Sequence, residues 1–171
     1  AMNWADGKTF WLEKYTLKGP LMASRASCSV PLITKIQHYM GYDLLDGGIS
    51  DPIPIEKSLA DGNTFHVIVL TRNKGYQKEP FGHAAFWKAA FRKHPAVAEG
   101  MRTRQEVYNR QLALCEKLEK AGRAVIIRPL KPLNVSRTKA EVPALLALHD
   151  EGLYEGRAAL GSFEEMLNIK L

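Results

Sequence analysis

The sequence predicts an α/β protein with a mostly parallel sheet flanked by helices and an N-terminal hairpin. Three observations carry this. Phe65-His66-Val67-Ile68-Val69-Leu70 is a continuous apolar run with β-branched members, the pattern of a strand buried on both faces. Ala124-Val125-Ile126-Ile127-Arg128-Pro129 is a second such run. From residue 42 onward, strand and helix patterns alternate, as in layered α/β folds.

Taken in order, residues 3–17 read as the hairpin. Asp6-Gly7 is a turn signal, and Thr9-Phe10-Trp11-Leu12 is rich in strand formers. Residues 18–29 carry the small residues Ala23, Ser24, Ala26 and Ser27, which let a helix pack closely, and Pro31 closes the segment. Tyr42 to Leu45 form a short strand that ends at Asp46. Ile53 to Ala60 form a short helix stopped by Asp61-Gly62. After the first buried strand, Asn73 to Pro80 is a polar loop. His83 to Lys93 is a short helix bearing Phe86, Trp87 and Phe91. Val97 to Lys120 is the longest helix. Val97, Met101, Tyr108, Leu112 and Cys115 share one stripe, flanked by Leu114 and Leu118, and Gly122 ends it. Arg104 falls inside that stripe, where it either snorkels to water or pairs with an acid from elsewhere. Glu141 to Asn168 closes the chain with one or two helices, broken near Gly152.

Residues 2–171 are expected to form one domain, and Ala1 before Met2 has the look of a residue left by tag cleavage. Only three strands follow the hairpin. A sheet this small leaves an open edge beside a very apolar strand, so the chain reads as part of a fold. It invites either a missing half or self-association through that edge. No apolar run approaches the ~20 residues that span a bilayer, and AMNWADGK is not a signal peptide. Cys28 and Cys115 lack paired spacing and read as reduced, buried thiols of a cytoplasmic protein. The net charge of +6 raises nucleic acid as a partner. The basic residues are spread, however, and acids sit among them, as in Glu116-Lys117-Leu118-Glu119-Lys120. No RNA-binding signature, metal-ligand cysteine pair or helix-turn-helix pattern occurs. The charge therefore reads as a solvated surface, with no nucleic-acid partner. His38, His66, His83, His94 and His149 show no ligand or triad spacing, and no metal or cofactor is expected.

One stretch carries candidate chemistry: Leu44-Leu45-Asp46-Gly47-Gly48-Ile49-Ser50-Asp51-Pro52-Ile53-Pro54. Asp-Gly is a common turn dipeptide, so a plain turn explains it. The sharper reading, less favoured by the spacing alone, is a catalytic acid or base at the C-terminal edge of a strand, where open α/β sheets hold their active sites. Asp46 is then the reacting group, with Gly47 and Gly48 giving a sharp turn and room beside it.

Three segments taken in order resemble the C-terminal half of bacterial patatin-like phospholipases. They are Ala23-Ser24-Arg25-Ala26-Ser27-Cys28-Ser29-Val30-Pro31, Leu45-Asp46-Gly47-Gly48-Ile49-Ser50-Asp51-Pro52-Ile53-Pro54 and Val67-Ile68-Val69-Leu70-Thr71-Arg72. Gly75-Tyr76-Gln77-Lys78, Ile127-Arg128-Pro129 and Val135-Ser136-Arg137 look like a bacterial branch of that family. The resemblance implies a partial patatin-like layered fold and a serine acyl hydrolase of lipid or phospholipid esters. Its dyad is Ser–Asp, without histidine or cofactor, and the base falls on Asp46. The family's nucleophile lies in Gly-x-Ser-x-Gly at a strand-to-helix elbow, behind a glycine-rich oxyanion loop. Neither occurs in this sequence. Both are expected on an N-terminal half, with the chain either truncated in its gene or cut from a longer protein, and inactive by itself. The alternative is a non-catalytic binding module derived from the same fold. Phe86, Trp87 and Phe91 alternate with Lys88, Arg92 and Lys93. That suits either an interfacial helix in peripheral contact with a membrane on the lipid-access side, or a cap on the core.

Overall fold

Sheet pairing separates an antiparallel ladder around Asp46 from a parallel one further along the chain. A computed structural model describes residues 1–13, 19–80, 82–133, 135 and 141–168. The end of the expected hairpin, at residues 14–17, and Ser136 and Arg137 lie outside the described residues. The fold is mixed α/β. Its contacts divide it into two units: Ala1–Pro54 with Lys78–Gln111, and Ile55–Gln77 with Leu112–Leu171.

In the first unit, strand β1 (Met2–Asn3) is followed by helix α1 (Pro20–Ser27), then β2 (Gln37–Tyr39) and β3 (Tyr42–Leu45). The sheet order is β1-β3-β2, and both pairings are antiparallel. A two-residue turn, Met40-Gly41, joins β2 to β3 with both residues at positive φ, 53° and 83°. That is the turn whose twist matches a hairpin, and Gly41 accepts the conformation without strain. The successive residues Leu44 and Leu45 point to opposite faces of the sheet. Leu44 packs with Ala23, Ala26 and Tyr39 on the α1 side. Leu45 packs with Met2, Ile49 and Trp87, together with side chains of two further helices, α3 (Ala84–Ala90) and the start of α4 (Pro95–Lys120). Both leucines are apolar because both faces are covered.

In the second unit, α2 (Ile55–Ala60) leads to β4 (His66–Val69), which pairs in parallel with β5 (Ala124–Ile127). The last part of α4, from Leu112, belongs here. Gly122, at φ 67°, turns the chain out of it. Helix α5 (Val142–Ala158) starts with a proline in its first turn, and α6 (Leu160–Leu167) ends at Asn168 in the left-handed conformation. Arg128, nearly buried after β5, donates to Glu116 at 3.0 Å and Glu119 at 3.1 Å, tying the strand exit to the end of α4.

The structure corrects several expectations. The N-terminal hairpin is reduced to β1 and one antiparallel bridge, Met2 to Thr9, and Phe10-Trp11-Leu12 is not a strand. Its Asp6-Gly7 turn is present, closed by Gly7 N–H to Asn3 O at 2.9 Å. The strand before Asp46 is antiparallel, and among the described residues parallel pairing is confined to β4 and β5. β4 is covered on one face only: His66 and Ile68 are buried, while Val67 and Val69 are 52% and 70% exposed. The closing helices break at Ala159, and Gly152 sits inside α5. Cys28 is exposed at the end of α1, whereas Cys115 is buried as expected. Of the aromatics on α3 and its exit, Trp87 and Phe91 are core residues and only Phe86 is exposed. Trp87 and Phe91 cap the core because their rings stack at 6.0 Å and Trp4 meets Phe91 edge-on at 5.9 Å.

Candidate functional site

β3 delivers the chain to Asp46, and the residue immediately changes direction. Asp46 N–H donates to Ser29 O at 2.8 Å, which fixes the strand exit to the end of the α1 segment. Ser29 is itself buried, and its hydroxyl donates to Arg25 O at 2.7 Å. Gly47–Ile49 then form one 3₁₀ turn, and Asp46 caps it: Oδ1 accepts Gly48 N–H at 2.7 Å. Asp46 is half-buried. Among the described residues, its Oδ2 has no hydrogen-bond partner. One carboxylate oxygen is therefore held by the turn.

Neither glycine lies in the left-handed region, but a side chain at either would crowd its neighbours. A Cβ on Gly47 would stand 3.1 Å from the Ala1 nitrogen and 3.4 Å from Ser27 Oγ. A Cβ on Gly48 would stand 3.1 Å from Asp46 Oδ1 and 3.4 Å from Arg104 Nη2. A side chain at Gly48 would thus press on the carboxylate itself.

Two residues join the site that the sequence did not announce. Arg104 Nε donates to Gly48 O at 2.7 Å, so its guanidinium holds the backbone of the turn rather than an acid. Gln111, buried on α4, donates from Nε2 to Asp51 Oδ1 at 2.6 Å and accepts Ile53 N–H at Oε1 at 2.9 Å. Together they clamp both ends of the segment after Asp46. Thr9 Oγ1 to Ser50 Oγ at 2.9 Å adds a third tie.

Outside this turn, the five histidines remain scattered. His66 is buried, with Nδ1 3.0 Å from Ser58 Oγ and Nε2 without a partner among the described residues. Burial, with a smaller contribution from Arg123, lowers its pKa. Burial pushes the Cys115 thiol up to about 11. Among the described residues, no group of three or more histidine, cysteine, aspartate or glutamate side chains could hold a metal ion. No helix of the described residues is long and apolar enough to cross a membrane.

Comparison with known families places residues 94–168 in register with DUF6363, a domain of unknown function. The match runs over α4, β5, α5 and α6, less than half of the chain, and starts beyond Asp46. No curated protein and no solved structure matches the chain.

Proposed function

We propose that this chain is the C-terminal portion of a patatin-like serine acyl hydrolase, in which Asp46 is the general base for a serine on a polypeptide carrying Gly-x-Ser-x-Gly. The observation that supports it is the carboxylate at the end of β3, oriented through Oδ1 by Gly48 N–H and leaving Oδ2 to take a proton. In this reading the serine hydroxyl gives its proton to Asp46 as its oxygen attacks the ester carbonyl. Asp46 returns that proton to the leaving alkoxide. A water, deprotonated by Asp46, then attacks the acyl carbon; the bond to the serine oxygen breaks, and Asp46 returns the proton to that oxygen as the acid is released. A carboxylate is a weak base in water, with a pKa near ~4, so the covalent step and oxyanion donors must supply most of the acceleration. Loss of a single oxyanion donor typically costs ~10²–10³ in rate, and this chain carries neither donor loop nor nucleophile. The chain by itself is therefore inactive in this reading.

A second reading, a non-catalytic binding module, draws on the same hydrogen bond. An aspartate that accepts the N–H two residues on makes an ordinary turn whether or not it reacts. Mixing the chain with a polypeptide that bears Gly-x-Ser-x-Gly and the glycine loop separates the two. Hydrolysis of a short-chain p-nitrophenyl ester, absent from each component and present in the mixture, is expected for the split hydrolase. A stable complex with no hydrolysis selects the binding module.

A further inference from the structure

Among the described residues both outer edges of the β4–β5 ladder are unpaired, and the β5 edge lies inside a groove. Among the described residues, β5 pairs only with β4. In a parallel ladder the peptide groups of a strand point alternately to its two sides. The carbonyls of Arg123 and Ile127 accept N–H from His66 and Leu70, so residues 123, 125 and 127 face β4. The peptide groups of Ala124 and Ile126 face the opposite way, where no strand of the described residues meets them. This edge is not freely solvated: Ala124 is only 6% exposed. A cavity of about 570 Å³ runs along all four β5 residues, and Ala158, Ala159, Ser162 and Met166 of the α5–α6 segment wall it. Three of those four side chains are small, which keeps the space open beside the strand.

The groove is also acidic. Glu119, Glu155 and Glu165 line it. Arg128 already binds Glu119, but Glu155 and Glu165 have no ion-pair partner among the described residues. Glu155 Oε1 is buried and accepts no hydrogen bond. An unsatisfied buried carboxylate oxygen is costly, and a donor brought by an occupant removes the cost.

We propose that this groove takes an extended, basic segment of another polypeptide, which adds to β5 as a third strand. Its backbone bonds the Ala124 and Ile126 peptide groups, and a Lys or Arg side chain meets Glu155. An extended segment is required because a helix satisfies its own backbone and would leave the β5 edge unpaired. A second copy of this chain is disfavoured. Pairing two β5 edges about a two-fold axis would set Glu155 and Glu165 against their own counterparts. The proposal does not depend on the Asp46 reading.

The test titrates the whole chain with an alternating Lys-Val hexapeptide and with its Glu-Val counterpart, following amide hydrogen exchange residue by residue. The Lys-Val peptide is expected to slow exchange at Ala124 and Ile126 by about tenfold or more, equivalent to ~1.4 kcal/mol. Val125 and Ile127, already bonded to β4, should change little. Ile126→Pro removes an outward N–H, as edge positions tolerate, and should weaken binding by about tenfold or more. Glu155→Gln should weaken it several-fold and flatten its salt dependence. N-methylation of alternate peptide residues should abolish binding, an arm that holds even if Ile126→Pro does not fold. Three results would overturn the proposal: equal binding of the Glu-Val peptide, undiminished binding of the N-methylated one, or Ala124 and Ile126 amides already protected in a dimer of this chain.

Discussion

At the scale of single residues, the segment after Asp46 is held by side chains that reach it from far along the chain. Gln111 is 2% exposed and bonds both Asp51 and the Ile53 amide. Gln111→Leu keeps the volume but strands a carboxylate and a buried N–H. It should cost about 1–3 kcal/mol, measurable by urea unfolding. The two cysteines differ in environment. Iodoacetamide at pH 8 should alkylate exposed Cys28 in the native protein and leave Cys115 untouched until denaturant is added, because burial holds that thiol near 11. His66 supplies a pH dependence. Its folded pKa is lowered, so at low pH the unfolded chain binds a proton that the folded chain refuses. The His66 contribution to stability is fully present above the ordinary histidine value of 6.5 and is lost as pH drops below it. Thermal unfolding at pH 7.5 and 5.5 should show this loss, and His66→Gln should flatten it.

At the scale of elements, the strand β3 shows how far a sequence can be read. Its position and its end at Asp46 were legible, because an apolar lead-in followed by two glycines leaves the chain little choice but to turn. Its partners were not. β2 is three residues of mixed character, and the Met40-Gly41 turn lacks the usual Asn-Gly signature, so the antiparallel pairing left no pattern to find. An apolar run such as β4 reads the same whether one face or both are covered, which is why the exposure of Val67 and Val69 was missed. Arg104 could not be assigned because its partner is a backbone carbonyl 56 residues away. Leu45→Ala tests the core that positions the carboxylate. It removes a fully buried side chain from the Met2, Ile49 and Trp87 cluster and should destabilise by about 2–5 kcal/mol in chemical denaturation.

At the scale of the whole molecule, the chain folds as two units. The first holds the Asp46 turn, and the second holds the β4–β5 ladder with its open edge. Asp46 and the β5 edge lie in different units. As a split hydrolase, the chain would use Asp46 to remove the serine proton once a nucleophile is supplied. The direct measurement is the ester hydrolysis rate of the chain mixed with a polypeptide bearing Gly-x-Ser-x-Gly and the glycine loop, for wild type, Asp46→Asn and Asp51→Asn. The amide at residue 46 keeps the shape and can still accept Gly48 N–H but cannot take the proton, so kcat should fall by about 10²–10⁴. Asp51→Asn retains an acceptor for Gln111 and should leave the rate within about twofold, since surface-type changes away from the reacting atoms seldom do more. A mixture whose rate is indifferent to Asp46→Asn, or a chain that hydrolyses the ester unaided, would contradict the account.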